Sequence, residues 1–438
     1  MSRISVNFNN IVGRIKPMHA TNNGPASCAG SKRGNFETFS AAGIPYVRNH
    51  DASLSEAYGS QHVVDVHCIF PDFSRDVDDE TAYDFALTDA YTKIIIDTGA
   101  KVFYRLGASI EHWPRKYGTR VPTDFLKWAK ICEHIIMHYN EGWANGFNYG
   151  IEYWEIWNEP DLDDENAQNK RTWGGTKEQF FDFYETASKH LKKRFPALKF
   201  GGPALAFRVD WAEDFLKEMQ KRQVTIDFYS WHIYCYKPER IVKTAEYMNN
   251  LLKKYGYQNA ESILNEWNYV RDWENPLDYI SVIKGIKGAA FCAAAMCSAQ
   301  NSDCLDMLMY YDARVEKTWN GMFSSDTLLP LKGYYAFKMF NELYMLGNAC
   351  ECSSDDKSLY VSAASDNNGN NAVLITYYTA DDCLAEKKEI QLNFGEKNSK
   401  YDMLLLDTDH ESEIVATVQS GDVVSLLHNS VCLFIKKQ

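Results

Sequence analysis

Glu159 and Glu266 are the residues whose type and setting point most directly to chemistry. Glu159 lies in Tyr153-Trp154-Glu155-Ile156-Trp157-Asn158-Glu159-Pro160-Asp161, a run whose first half reads as a buried strand. Pro160 has no amide proton for a ladder and keeps the residue before it extended, so the strand stops there and fixes Glu159 at its C-terminal edge. A carboxyl group held in that place can serve as a general acid. Glu266 stands 107 residues further on, in Leu264-Asn265-Glu266-Trp267-Asn268, at the end of a second apolar run. Two carboxyls facing one another across a pocket are what glycosidic bond cleavage needs, one to protonate the departing oxygen and one to attack or to activate water. Their separation is about 5 to 5.5 Å in retaining enzymes and about 6.5 to 9.5 Å in inverting ones. A lone strand-end glutamate more often only caps or pairs. Asn158, Pro160, the flanking tryptophans and the second glutamate turn that balance toward catalysis.

The elements that must position this pair follow from periodicity. Between about residues 15 and 345, short β-type runs alternate with helical stretches, a pattern that builds βα units and a parallel sheet. Eight strands are expected, near Ile15–His19, Ile44–Arg48, Lys101–Leu106, Glu152–Trp157, Leu198–Gly202, Ile226–Trp231, Ser262–Asn265 and Leu305–Tyr310. The helical spacing between them is clear in Phe125, Ala129, Cys132, Ile136 and Tyr139, and again in Ile241, Ala245, Met248 and Leu252. Eight units favour a closed (β/α)8 barrel spanning residues 13–346. After residue 347 the runs are short, separated by Asn, Asp and Gly turns, and lack helices, so 347–438 reads as a β-sandwich joined by an N-terminal strand in 1–12.

In such a barrel the functional groups sit at the C-terminal strand ends. Arg48, His50, Ser109, Glu111, Asn158, Glu159, His232, Tyr234, Glu266, Tyr310 and Asp312 all fall at or just after those ends. Trp267 and Trp319 add candidate stacking surfaces for a sugar ring.

Composition narrows the field. The chain has 438 residues, 45% of them hydrophobic and 14% aromatic, and no apolar run reaches the 18 or so residues that span a bilayer. A formal charge of −13 without basic runs disfavours nucleic acid and anionic membranes as partners. No Gly-x-Gly-x-x-Gly follows a strand, so no dinucleotide cofactor is expected, and no cofactor or metal is implied otherwise. His134 and His138 have ligand-like spacing, but Ile135 stands where a zinc protease carries its glutamate. Cys350 and Cys352 lack a matching second pair and read as plain thiols. Eleven scattered cysteines, the lack of any Asn-x-Ser/Thr site and an opening segment without a signal-peptide core suggest a cytoplasmic protein. Homo-oligomer formation is left open.

Five stretches carry a family resemblance: Tyr46-Val47-Arg48-Asn49-His50, Glu155-Ile156-Trp157-Asn158-Glu159-Pro160, Gly201-Gly202-Pro203-Ala204, Asp227-Phe228-Tyr229-Ser230-Trp231-His232-Ile233-Tyr234 and Leu264-Asn265-Glu266-Trp267-Asn268. In these the chain resembles glycoside hydrolase family 39, the β-xylosidases and α-L-iduronidases, within the retaining clan that places its two carboxyls on barrel strands 4 and 7. The resemblance implies Glu159 as acid/base and Glu266 as nucleophile, Asn158 as donor to the sugar 2-hydroxyl, and Tyr234 as the residue orienting Glu266. Arg48, His50 and His232 would then lie around the sugar or behind the nucleophile. Glu111, Tyr310, Asp312 and Trp267 are added as candidate substrate contacts. Ile233 and Tyr234 stand where a uronidase would carry basic residues, so a neutral pentose such as xylose or arabinose ranks first, ahead of galactosides and glucosides. Uronides rank last, with Arg314 the one cation left for them. A sugar-binding barrel without catalysis is the competing class. The facing charges of Glu159 and Glu266 argue against it.

Overall fold

The computed structural model describes residues 1–51, 62–206, 208–381, 387–395 and 398–437. Eight parallel strands close into a barrel: Ala20–Asn22, Tyr46–Asn49, Lys101–Leu106, Tyr153–Ile156, Lys199–Leu205, Phe228–Cys235, Glu261–Tyr269 and Met307–Tyr310. Helices between them bury the stripes expected from spacing. Ala129, Cys132, Ile136 and Tyr139 are fully buried on the helix Phe125–Glu141, as are Ile241, Ala245, Met248 and Leu252 on Pro238–Lys254. Local chemistry sets the helix ends. Asp124 caps Phe125–Glu141 by accepting the Lys127 amide, and Gly142 ends it in the left-handed region at φ 74°.

The first strand departs from expectation. It covers Ala20–Asn22 rather than Ile15–His19, because the preceding strand runs from Ser2 to Arg14 and Pro17 cannot donate to a ladder. The Lys16 ammonium is meanwhile tied to the carbonyls of Ser302 and Leu305 at 2.6 and 2.8 Å. The sixth and seventh strands run further than expected, so His232 and Glu266 lie within strands rather than after them.

The remaining strands form a nine-stranded mixed sheet in the order Glu411–Gln419, Lys400–Leu406, Ser430–Lys436, Asn371–Tyr377, Leu359–Ser365, Asn348–Ser354, Ser2–Arg14, Lys388–Asn393, Val423–Leu426. Side chains from distant positions in this order, Ile4, Ile390 and Val424 with Val373, Met403 and Phe434, share one buried cluster. A flat sheet could not bring them together, so the sheet curls over itself as an accessory sandwich. The strand Ser2–Arg14 pairs antiparallel with Asn348–Ser354 and parallel with Lys388–Asn393.

Two compact units make up the chain. One comprises Met1–Pro45, Tyr234–Ala245 and Trp267–Gln438, and the other comprises Tyr46–Ile233 and Glu246–Glu266. Glu159, Glu266 and the groups holding them all belong to the second.

Candidate active site

The fourth barrel strand builds the site's floor. Tyr153 packs with Tyr46, Phe103 and Phe228 at ring separations of 5.7, 5.2 and 5.6 Å. Alternation puts Glu155 on the same face two residues on, and Trp154 on the opposite face against Tyr104 at 4.8 Å. The chain then turns out of the strand through two non-glycine residues at positive φ, Trp157 at 75° and Glu159 at 46°. That conformation persists only where surroundings impose it. Here the Glu159 amide donates to the Ala204 carbonyl at 2.8 Å, while the Glu159 carbonyl accepts from the Thr172 hydroxyl at 2.5 Å and the Leu162 amide at 3.1 Å.

The Gly-Gly-Pro-Ala stretch is the partner of this turn. A Cβ on Gly201 would meet the Phe228 carbonyl oxygen at 2.0 Å, so only glycine admits the neighbouring strand. Ala204 then takes φ 55° and donates its amide to Ser230 Oγ at 3.0 Å, and Ser230 in turn donates to Glu155 Oε1 at 2.6 Å. The acid's backbone and the buried Glu155 are thereby tied together.

Arg48 is the electrostatic hub. Its guanidinium is fully buried and donates to Glu155 Oε2 (Nε, 2.7 Å), Glu266 Oε1 (Nη1, 2.8 Å) and Asn158 Oδ1 (Nη2, 2.7 Å). Glu155 also accepts from Asn265 Nδ2 at 2.5 Å. His50 supports Glu266 from another direction. Its Nδ1 accepts from Arg105 Nε at 3.2 Å, which leaves Nε2–H to face Glu266 Oε1 and Asp51 Oδ1, each at 3.3 Å. Burial holds this imidazole well below its ordinary pKa, so it is a neutral donor. Arg105 is itself paired with buried Asp65 at 2.6 Å.

The two candidate carboxyls and His232 form one cluster, with one oxygen of Glu159, one oxygen of Glu266 and one ring nitrogen all within 4.8 Å of one another. Glu159 is 6% and Glu266 3% exposed, so neither is screened by bulk water. Burial pushes the Glu159 carboxyl up to about 8, against the pull of Arg48. Burial pushes Glu266 up to about 7, with the Glu159 charge acting in the same direction and Arg48 opposing it. Burial therefore favours keeping a proton on the pair near neutral pH. Burial lowers His232 to about 4. The ring is neutral, and its Nδ1 meets Glu159 Oε1 at 2.7 Å and Glu266 Oε2 at 3.5 Å.

Asn158 is fully buried. Because Arg48 occupies its oxygen, its amide nitrogen is left as a buried donor without a partner among the described residues. Such a donor is costly unless a ligand satisfies it, which suits a sugar hydroxyl.

The remaining candidates have partners of their own. The Glu111 carboxylate is committed to its own loop, accepting the Tyr117 and Gly118 amides at 3.0 Å and the Thr119 hydroxyl at 2.8 Å. Tyr310 and Trp267 are core residues with 1% and 0% exposure, and neither offers a ring face to a sugar. Trp267 packs on Phe291 and Tyr310, and the Tyr310 hydroxyl donates to the Trp319 carbonyl at 3.2 Å. Asp312 accepts from Asn23 Nδ2 at 2.9 Å. Tyr234, two residues beyond His232 on the strand Phe228–Cys235, packs with Trp273, Tyr311 and Trp319. His134 and His138 face Asp78 and Asp89 from their helix. Cys350 contacts Ser365 Oγ, and Cys352 donates to the Val361 carbonyl.

Sequence reasoning passed over Glu155, Asp51, Arg105 and Asp65. The signal for the first was present, since a charged residue inside an apolar strand needs a buried partner.

A closed (β/α)8 barrel whose strand ends hold two facing, buried carboxyls defines the architecture of a glycoside hydrolase. The chain belongs to glycosyl hydrolases family 39, whose model matches residues 40–296, more than half of its length. A β-xylosidase from Geobacillus stearothermophilus is 26% identical over 344 residues, which cover 69% of this chain and 62% of that enzyme. The chain thus spans less than two thirds of that relative. A glucosidase from Croceicoccus marinus superimposes with a TM-score of 0.80 at 21% identity, covering 100% of this chain and 99% of the other. A monomeric β-xylosidase from Caulobacter crescentus CB15 follows at 0.72 and 16%, with the same coverage. At these identities the two structural matches establish the shared fold.

Proposed function

We propose that the chain is a retaining glycosidase that removes a terminal neutral sugar, with β-xylose first among substrates. The observation that carries this reading is the oxygen-to-oxygen approach of Glu159 and Glu266 within 4.8 Å, which is closer than the spacing of inverting pairs and suits direct attack. Glu266 attacks the anomeric carbon as Glu159 gives its proton to the departing glycosidic oxygen, and a glycosyl ester on Glu266 results. Loss of the Glu266 charge lowers the affinity of Glu159 for a proton. Glu159 then takes a proton from water as that water attacks the anomeric carbon and Glu266 leaves. Asn158 donates to the 2-hydroxyl, a bond that strengthens as positive charge develops in the ring. The family's β-xylosidase relative supports a pentose, as does Tyr234 standing where a uronidase would need a cation. Arg314, the remaining candidate cation, faces Asp312 at 3.6 Å.

Two measurements test this. Proton NMR of aryl β-xyloside hydrolysis should show the β-anomer of xylose first. An α-anomer, or faster cleavage of aryl glucosides and galactosides than of xylosides, would refute the stereochemistry or the sugar respectively. The pH profile of kcat/KM should be a narrow bell. Activity requires Glu266 ionised and Glu159 protonated, so it falls below about 7 as Glu266 takes up a proton and above about 8 as Glu159 loses one. A plateau reaching down to pH 5 would contradict the burial argument.

A further inference from the structure

We propose that the loops after the third and fourth barrel strands form a subsite for an anionic group, a uronate carboxylate or a sulfate ester, carried by the oligosaccharide beyond the cleaved sugar. This inference rests on the glycosidase reading and adds the chemistry of the leaving portion. The two loops enclose a cavity of about 350 Å³ whose walls include Arg115, Lys116, Arg120 and Lys170 and no acidic side chain. That volume falls in the range of small-ligand sites, roughly 300 to 1,000 Å³. In a chain with 59 acidic and 46 basic residues, a wall of four cations without a carboxylate is a local reversal of charge.

The Glu111 and Asp163 carboxylates act on Lys116 without forming an ion pair with it. Among the described residues, neither Arg115 nor Arg120 lies within ion-pair distance of a carboxylate, and the Lys116 and Lys170 ammonium groups donate to the backbone carbonyls of Glu111 and Gly175. The adjacent acids are engaged elsewhere, Glu111 by the amides of its own loop and Asp163 by Arg171 at 2.7 Å. Like charges gathered around one cavity repel, and an anion bound by arginine forks relieves that repulsion. Trp113, 73% exposed, extends the same loop, and the Arg115 guanidinium lies over the Tyr117 ring at 5.1 Å, which holds that cation at the loop surface.

The cavity is tied to the acid. The Gly174 amide donates to the Thr119 carbonyl at 2.7 Å, closing the two loops on one another, and Thr172, two residues away, holds the Glu159 carbonyl at 2.5 Å. Glu159 protonates the leaving oxygen, so the loop that fixes it is placed to meet the leaving portion of the substrate.

Calorimetry on the intact protein tests the subsite, using uncleavable S-linked xylotriose, the same trisaccharide with one glucuronate, and the same with one sulfate ester. At low salt the glucuronate or the sulfate form should bind about 10- to 100-fold tighter than the neutral one. The advantage should shrink toward 1 M salt and vanish in the double variant Arg115→Ala/Arg120→Ala, with neutral binding unchanged. The arm that gains affinity identifies the anion. Equal affinity for all three sugars, or an advantage that survives the double variant, overturns the subsite. Both arginines are exposed, so their loss should leave folding intact, which a melting curve checks. A protein that binds the charged sugars yet cleaves no glycoside would remove the proposed function and leave the subsite standing. One that cleaves xylosides without any preference for charge would do the reverse.

Discussion

Glu266→Ala should abolish hydrolysis of aryl β-xylosides, with kcat/KM falling by about four to six orders of magnitude as expected when a covalent nucleophile is removed. The variant keeps the Arg48–Glu155 pair at 2.7 Å, so folding should survive and the loss should be chemical. A small anion can then report the role. Azide entering the space left by the side chain would attack the anomeric carbon directly, giving the α-glycosyl azide through a single inversion. The companion variant Glu159→Ala should behave differently. Aryl glycosides whose phenol needs no protonation still form the glycosyl ester, and azide then captures it as the β-glycosyl azide. Substrates with poor leaving groups should be nearly inert to the Glu159 variant. Hydrolysis undiminished in Glu266→Ala, or the same azide anomer from both variants, would remove the assigned roles.

The meeting of these two carboxyls was legible in sequence because each glutamate ends an apolar run that a (β/α)8 barrel can bury only as a strand, and strand ends converge on one mouth. The barrel itself was legible for the same reason. Its first strand was misplaced because apolar Ile15 and Met18 mimic a strand, while the effect of Pro17 and of the long pairing of Ser2–Arg14 depends on partners far along the chain. Trp267 and Tyr310 show a different limit. Proximity to a strand end made them candidates, yet alternation already placed Trp267 on the face opposite Glu266, and it packs outward on Phe291. Glu111 could not have been resolved at all, since the loop amides that occupy it come together only when residues 111–119 close on themselves. Arg48 was found as a site residue without its principal partner. Glu155 read as one more member of a buried strand, although alternation from inward-facing Tyr153 would have put its charge inside the barrel.

That omission leads to the second large effect. Glu155→Ala should destabilise the protein by about 3 to 5 kcal/mol, the usual cost of stripping one partner from a buried ion pair. Glu155 is fully buried and serves four donors, Nε of Arg48, Oγ of Ser230, Nδ2 of Asn265 and, as an ion pair, Nη2 of Arg48. Its loss leaves the Arg48 guanidinium balanced by Glu266 alone and frees Ser230, the residue that anchors Ala204 and through it the strained backbone of Glu159. Urea denaturation should therefore show a lower midpoint, and residual activity should fall more than stability alone explains. Glu155→Gln separates the two contributions. The amide oxygen can still accept one or two of these bonds, so folding should recover in large part, but the negative charge beside the site is gone. Removing it strengthens the hold of Arg48 on the Glu266 carboxylate and weakens the repulsion that keeps a proton on the pair, so the acid limb of kcat/KM should move to lower pH. An unshifted acid limb in Glu155→Gln, with normal folding, would mean that Arg48 and Glu155 support the barrel without tuning the nucleophile.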